Sequence, residues 1–129
     1  MSMVMEREAI ANKIVKKDEI WLADLGTPDG NVQGGVRPVL VTSNDFGNMN
    51  SSYVVVVPIT SSKTKAKLPT HVHIVAEEVG FVKDSIIMFE QSFTLRKDLY
   101  LIHKIIDIPA SYYSRIDQAY AVAGKRYKR

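Results

Sequence analysis

The sequence contains no cysteine and no long apolar run. Without cysteine, neither a disulfide framework nor a thiolate metal site is possible. Nowhere do about 18 apolar residues follow one another, so we expect no membrane-spanning helix. Residues 1–17 carry charged residues among their apolar ones and therefore lack the unbroken apolar segment of a signal peptide. These absences predict a cytoplasmic protein that does not associate with a membrane.

Positive charge is in only slight excess. The sequence has 17 Lys and Arg residues and 14 Asp and Glu residues, for a formal net charge of +3. Such an excess permits binding to a polyanion without requiring it. Basic residues cluster at Lys63, Lys65 and Lys67 and again in the tail 125–129. Clusters of this kind most often serve solubility, so charge alone does not assign a nucleic-acid-binding function.

A length of 129 residues, with 46% hydrophobic and 24% charged residues, predicts a single domain. Residues 1–17 have apolar positions at near-helical spacing and predict an amphipathic N-terminal helix. Residues 18–108 predict the strands of a small barrel. Residues 109–124 start with a proline, carry an apolar helical face and end at a glycine, which predicts a C-terminal helix before the basic tail 125–129.

The barrel prediction depends on segments that alternate in polarity or are rich in Val and Ile, with turn residues between them. These segments are 19–25, 36–43, 53–59, 70–75, 85–95 and 101–108. A closed sheet would hide its edges from other chains. The expected fold class is therefore α+β, with a barrel between two helices.

A candidate anion site begins in the segment Gln33-Gly34-Gly35-Val36-Arg37-Pro38. Two glycines allow a tight backbone turn, and Arg37 follows at the start of a buried strand. A rigidly held guanidinium suits a phosphate or a carboxylate. A structural salt bridge or a plain surface arginine would explain the same residue equally well.

Hydroxyl groups cluster where the next Val-rich strand ends, at Thr60, Ser61 and Ser62. Together with the lysines that follow, they could bind phosphate oxygens. The alternative is ordinary loop composition, which is the more common reason for a run of Ser and Thr.

His71 and His73 lie on the same face of a predicted strand. A zinc site would need a third ligand that the sequence does not offer, so we expect no metal site. A role for His71 in contacting RNA or moving a proton fits better, since imidazole titrates near neutral pH. Glu90 and Gln91 follow an apolar run and could read base edges or orient Arg37, unless they are only a polar strand end.

Several blocks of the sequence, taken in order, form a recognisable pattern. They are Glu19–Gly26, Gln33–Val41, Ser43–Asp45, Val54–Ser61, Leu68–Val72, and Glu90-Gln91 with Thr94-Leu95. In this order and at this spacing they resemble the MazF/PemK family of toxin–antitoxin endoribonucleases. The resemblance runs from Asp18 to about Gly124.

This resemblance implies a small SH3-like barrel of the CcdB/PemK type with appended helices, which forms a homodimer. It also implies cleavage of single-stranded RNA at a short recognition sequence, without a metal or other cofactor. The expected partners are thus the RNA substrate, a second copy of the chain and a cognate antitoxin protein that occupies the RNA site.

By the same resemblance, the catalytic residues are Arg37 and Thr60. The implied RNA-binding residues are Asn31, Gln33, Gly35, Ser61, His71, Glu90 and Gln91. The implied reaction is attack of the ribose 2′-hydroxyl on its own phosphate, which leaves a cyclic phosphate and a 5′-hydroxyl. Arg37 would stabilise the charge of the transition state and Thr60 would position a phosphate oxygen, with His71 or Glu90 as candidates for proton transfer.

The sequence departs from the family pattern at three places. Val32 stands where members often carry Glu, His73 replaces a common acidic residue, and the block Phe93–Arg96 has lost one Arg and carries an Arg in place of an Asp. These positions bear on base recognition and on the charge of the site, so a recognition sequence cannot be transferred from the relatives.

Two other functions compete with the ribonuclease. One is a non-catalytic toxin of the same architecture, similar to the CcdB gyrase poisons, and the other is a catalytically inactive RNA-binding module. The joint presence of Arg37, Thr60 and Gln91 favours the ribonuclease over the gyrase-binding protein, which needs no such set.

Overall fold

The structure is a computed structural model that describes residues 13–26, 34–61 and 67–126. Within these ranges seven strands form one antiparallel sheet. The strands are β1 (Glu19–Asp24), β2 (Val36–Val41), β3 (Tyr53–Thr60), β4 (His71–Ile74), β5 (Ser85–Met88), β6 (Phe93–Arg96) and β7 (Leu101–Asp107). The helices are α1 (Asp45–Asn50), α2 (Ala76–Val79), α3 (Lys97–Tyr100) and α4 (Tyr113–Ala123), with 3₁₀ turns at Phe89–Gln91 and Ala110–Tyr112.

The strand order is β4-β5-β3-β2-β1-β7, and β6 also pairs with β3. The predicted α+β class is confirmed, but among the described residues no pairing joins β4 to β7, so the sheet is open rather than a closed barrel. At β4 the core is covered by α4 instead of by another strand. Ile116 and Ala119 of α4 belong to the same buried cluster as Val72 and Ile74 of β4.

The sheet buries apolar side chains on both faces. The main core includes Ile20, Leu40 and Val57, which are neighbours across three strands. The second core, on the other face, includes Trp21 and Val39. Because side chains alternate along a strand, burial of both faces explains why β2 and β3 are almost continuously apolar.

The predicted strand 85–95 is two strands, β5 and β6, separated by the 3₁₀ turn Phe89–Gln91. Phe89 is buried, and its backbone N–H donates to Thr70 O at 3.0 Å. Its ring contacts the Tyr120 ring edge-on. Anchoring Phe89 in the main core bends the chain between the two strands, which an unbroken run of apolar residues does not reveal.

The predicted N-terminal helix does not reach residue 17. Residues 1–12 lie outside the described residues, and 13–16 are irregular before a turn at Lys17 and Asp18. The backbone N–H of Lys16 donates to Glu19 Oε1 at 2.7 Å, and that of Lys17 donates to Asp45 Oδ1 at 2.7 Å. Asp18 has a φ of 69°, so the chain cannot continue as a helix into β1.

The predicted C-terminal helix is confirmed in α4, which follows a 3₁₀ turn and ends at Gly124. Lys125 and Arg126 of the basic tail follow it, and residues 127–129 lie outside the described residues. Within the described part of the chain, no helix is long and apolar enough to span a membrane.

Tyr112 connects the helical end of the chain to the sheet. It is 1% exposed, and its hydroxyl oxygen accepts the Val75 N–H at 3.1 Å.

Removing the Tyr112 hydroxyl leaves the Val75 N–H without that acceptor, so we expect Tyr112→Phe to lower the free energy of unfolding by about 1–2 kcal/mol. Urea unfolding measures the change, and Tyr113→Phe at the neighbouring exposed position is the control. Equal stability of the two variants would contradict the prediction.

Candidate active site

A loop closed by two glycines precedes β2. The Leu25 N–H donates to Gly35 O at 2.9 Å, and the Gly35 N–H donates to Gly26 O at 2.6 Å. Gly26 and Gly35 have φ of 72° and 74°, a conformation that side-chain-bearing residues rarely adopt. The predicted RNA contacts Asn31 and Gln33 lie outside the described residues, whereas Gly35 directly precedes the strand that carries Arg37.

Arg37 is held at the start of β2. Its Nε donates to Gly34 O at 2.8 Å, and its backbone pairs with Ala23 of β1. Burial lowers the pKa of Arg37, but a guanidinium stays protonated at neutral pH. No carboxylate within the described ranges lies within 4.0 Å of it. The guanidinium is therefore a positioned cation that these residues do not neutralise.

Thr60 faces Arg37 from the neighbouring strand. Strands β2 and β3 pair Val39 with Pro58, and the same register continued to the end of β3 places Arg37 opposite Thr60. Opposite residues of an antiparallel pair project from the same face. Both side chains line one cleft of about 600 Å³, together with Ser61. The structure thus brings together three of the predicted site residues.

The loop that follows α2 also lines the cleft of Arg37 and Thr60, through Phe81, Val82 and Lys83. Sequence reasoning missed this loop, because Lys83 is a single basic residue in a short polar connection. The loop is held in place by hydrogen bonds from the Phe81 N–H to Ala76 O at 2.9 Å and from the Ala76 N–H to Asp84 Oδ1 at 2.8 Å.

His71 and Glu90 contact each other outside the lining of this cleft. His71 Nε2 lies 2.9 Å from Glu90 Oε2, and Thr70 Oγ1 donates to Glu90 Oε1 at 2.8 Å. The His71 side chain is only 4% exposed, and its Nδ1 has no hydrogen-bond partner among the described residues. Burial raises the pKa of Glu90. Hydrogen bonds from His71, from the Glu90 backbone and from Thr70, together with the charge interaction with His71, outweigh burial and lower the pKa overall.

Gln91 is half-buried at the end of the same 3₁₀ turn, and its Nε2 lies 3.8 Å from Met88 Sδ. Neither Gln91 nor the contacting pair His71 and Glu90 lines the cleft of Arg37. Within the described part of the chain, no group of three His, Asp or Glu residues is arranged to hold a metal ion.

A sequence profile described as PemK-like, MazF-like toxin of type II toxin-antitoxin system matches residues 16–123. The chain belongs to this toxin family. It is 44% identical over 110 residues to endoribonuclease EndoA of Bacillus subtilis (strain 168), covering 85% of this chain and 94% of the relative. It is 45% identical over 84 residues to endoribonuclease MazF of Staphylococcus epidermidis, covering 65% of this chain and 70% of the relative.

The family's fold is also found among solved structures. An endoribonuclease in complex with its cognate antitoxin, from Mycobacterial species, superimposes with a TM-score of 0.71 at 23% identity. The match covers 88% of this chain and 99% of that one. At this identity the likeness supports the fold, and the sequence relatives support the family.

The lowered pKa of Glu90 predicts a pH dependence of stability. A carboxyl group whose pKa falls on folding stabilises the folded state above its unfolded pKa of about 4.3, and this contribution is lost as the pH falls through the folded value. We therefore expect Glu90→Gln to be less stable than the unmodified protein at neutral pH, and the difference to shrink below about pH 4.3.

Urea unfolding between about pH 7 and about pH 3 tests this dependence. The exposed Glu77, substituted as Glu77→Gln, serves as the control for removal of one negative charge. A difference for Glu90→Gln that stays constant or grows on acidification would show that the hydrogen bonds to its carboxylate do not stabilise the fold.

Proposed function

We propose that this toxin is an endoribonuclease that cuts single-stranded RNA, including mRNA, at a short recognition sequence in the cytoplasm. The main support is the cleft in which Arg37 and Thr60 face each other across two paired strands. The relatives named endoribonucleases support the same activity.

The proposed reaction uses only groups of the RNA and of the protein. The ribose 2′-oxygen attacks the adjacent phosphorus, and the bond from phosphorus to the 5′-oxygen breaks. The 2′-hydroxyl loses its proton and the leaving 5′-oxygen gains one, so the products are a 2′,3′-cyclic phosphate and a 5′-hydroxyl. DNA lacks the 2′-hydroxyl and would not be cut.

Arg37 is suited to stabilise the negative charge that develops on the phosphate. Its Nε–H donates a hydrogen bond to Gly34 O, so the guanidinium is oriented before the substrate binds. Its remaining N–H groups have no acceptor among the described residues and can bind phosphate oxygens in a planar fork. Thr60, whose backbone pairs with Ile86, can donate its hydroxyl to a phosphate oxygen from the opposite side.

Proton transfer requires a group other than the guanidinium, which is a poor base at neutral pH. His71 and Glu90 remain the candidates. His71 Nε2 and Glu90 Oε2 are 2.9 Å apart and bind each other, and the His71 side chain is only 4% exposed. Either group can therefore act on RNA only after this contact rearranges. Glu90, with 32% of its side chain exposed, is the more accessible of the two.

The proposed partners are the RNA substrate, a cognate antitoxin that occupies the RNA cleft, and a second copy of the chain. The solved structure of an endoribonuclease in complex with its cognate antitoxin, which has a similar fold, supports the second partner. Exposed apolar side chains on α1 and α3 support homodimer formation, since soluble proteins commonly use such patches as interfaces. Phe46 and Met49 are each 80% exposed and Leu99 is 61% exposed.

The decisive experiment is incubation of the purified protein with a long single-stranded RNA in EDTA, followed by mapping of the new 5′ ends. We expect discrete cuts with 5′-hydroxyl ends, because the proposed reaction needs no metal. Binding without cleavage would indicate an inactive RNA-binding module. Absence of any RNA interaction, together with inhibition of DNA gyrase, would indicate a gyrase-binding toxin.

Substitution of the cation in the cleft tests the mechanism. We expect Arg37→Ala to lower the cleavage rate by about 100-fold to 1,000-fold, which is the usual cost of removing one donor that stabilises transition-state charge. Arg126→Ala, at an exposed position after α4, should cut at the unmodified rate and controls for loss of one positive charge. Single-turnover cleavage of the same RNA measures both rates. An Arg37→Ala protein that cuts at full rate would overturn the assignment.

A further inference from the structure

We propose that the cleft continues past Thr60 into a subsite for a nucleotide next to the cleaved bond, in which Lys83 binds the flanking phosphate and His73 contacts the base. This inference rests on the proposed ribonuclease function. It assigns a role to two residues outside the predicted catalytic and RNA-binding set.

The subsite is a second cavity, of about 730 Å³, that is continuous with the Arg37 cleft. The two share part of their lining, including Ser61, Lys83 and Ser85. Its volume lies within the range of about 300–1,000 Å³ that is usual for small-molecule sites. A polynucleotide bound at Arg37 would therefore have room for its next unit here.

Strand register places His73 at the far side of this second cavity. Thr60 pairs with Ile86, and Ile86 pairs with His73, so the three residues form one row across β3, β5 and β4. Adjacent strands are about 4.8 Å apart, which puts the His73 backbone about 10 Å from that of Thr60. His71, two positions earlier on β4, pairs instead with Met88 and does not line the cavity.

The side chain of His73 is available to a ligand. Its strand neighbours Val72 and Ile74 are 3% and 1% exposed in the main core, whereas His73 is exposed on the opposite face. An imidazole in this position can stack on a base or hydrogen-bond to its edge, as side chains do when they recognise single-stranded RNA.

Lys83 supplies the positive charge of the subsite. No carboxylate in the described ranges lies within 4.0 Å of its ammonium group. The nearest acidic residue in sequence, Asp84, uses Oδ1 to accept the Ala76 N–H. Ser85 Oγ donates to the Lys83 carbonyl at 3.1 Å, which holds the backbone of this loop in place. The backbone of Lys83 is thus anchored where the two cavities meet, and its ammonium group is paired with none of the described carboxylates.

Binding to RNA that stays intact tests Lys83 directly. In the Arg37→Ala background, the affinity for a labelled pool of single-stranded RNA is measured in EDTA over a range of salt concentrations. We expect Lys83→Ala to weaken binding about fivefold and to reduce the slope of log affinity against log salt by about 0.7, the value for one phosphate contact on a single strand. Lys83→Arg should restore both, and the control Lys16→Ala should change neither.

Lys16 is a suitable control because it is exposed and precedes β1, at the opposite end of the β1–β2 pair from Arg37. Circular dichroism melting shows whether Lys83→Ala folds normally. A folded Lys83→Ala protein with the slope and affinity of the Lys16→Ala control would overturn the subsite. That result would leave the ribonuclease proposal intact, since cleavage by the unmodified protein is measured separately.

Cleavage of oligonucleotides that differ only in the bases flanking the mapped cut tests His73. We expect His73→Ala to reduce the preference among the four bases at one flanking position by about fivefold while cutting persists, since the variant loses one contact to a base edge. His103→Ala, at an exposed position on β7, should keep the full preference. Unchanged preference in His73→Ala would exclude it from base contact.

Discussion

The position of the site depends on which strands pair with each edge of β3. One edge pairs with β2, while the other pairs with β6 through Tyr53–Val56 and with β5 through Ile59 and Thr60. The change of partner on one edge leaves the last residue of β3 between β2 and β5. Arg37 and the second cavity then lie on either side of Thr60. A shift of one residue in the β2–β3 register would move Arg37 and Thr60 to opposite faces of the sheet.

Because both faces of the central strands are buried, their polar side chains lie at the strand ends. In β2 the apolar residues Val39–Val41 are fully buried, and Arg37 precedes them. In β3 the buried residues end at Ile59, and Thr60 follows. The antiparallel pairing brings these two ends together. The same interior that stabilises the fold therefore fixes the backbones of the two polar residues without placing either side chain in the apolar core.

The sequence alone indicated Arg37, Thr60 and Ser61, because each stands where an apolar strand meets a turn. It could not show that they share one cleft, since pairing of β2 with β3 is a contact between distant parts of the chain. The same limit explains the missed Lys83, which is significant only because its loop packs beside Ser61 and Ser85. For the two histidines, strand alternation correctly put both on one face, but only the register with β5 shows that His73 shares a row with Thr60.

The prediction of a closed barrel and of one strand over 85–95 failed for a common reason. Local patterns report which residues are buried, but not what covers them. Phe89 is buried by bending the chain into a 3₁₀ turn, and β4 is covered by α4 rather than by another strand. An apolar run is compatible with all of these outcomes, so strand content was predictable and sheet closure was not.

The altered block Phe93–Arg96 is accommodated in the fold away from the cleft. Phe93 pairs with Val56 and packs against the second core. Arg96 binds Asp98 through two hydrogen bonds, at 2.8 and 3.2 Å, so its charge is neutralised locally. Neither residue lines the cavities that contain Arg37 and Lys83. The departure from the family pattern therefore leaves the proposed catalytic pair undisturbed, and it gives no reason within the described residues to expect an inactive protein.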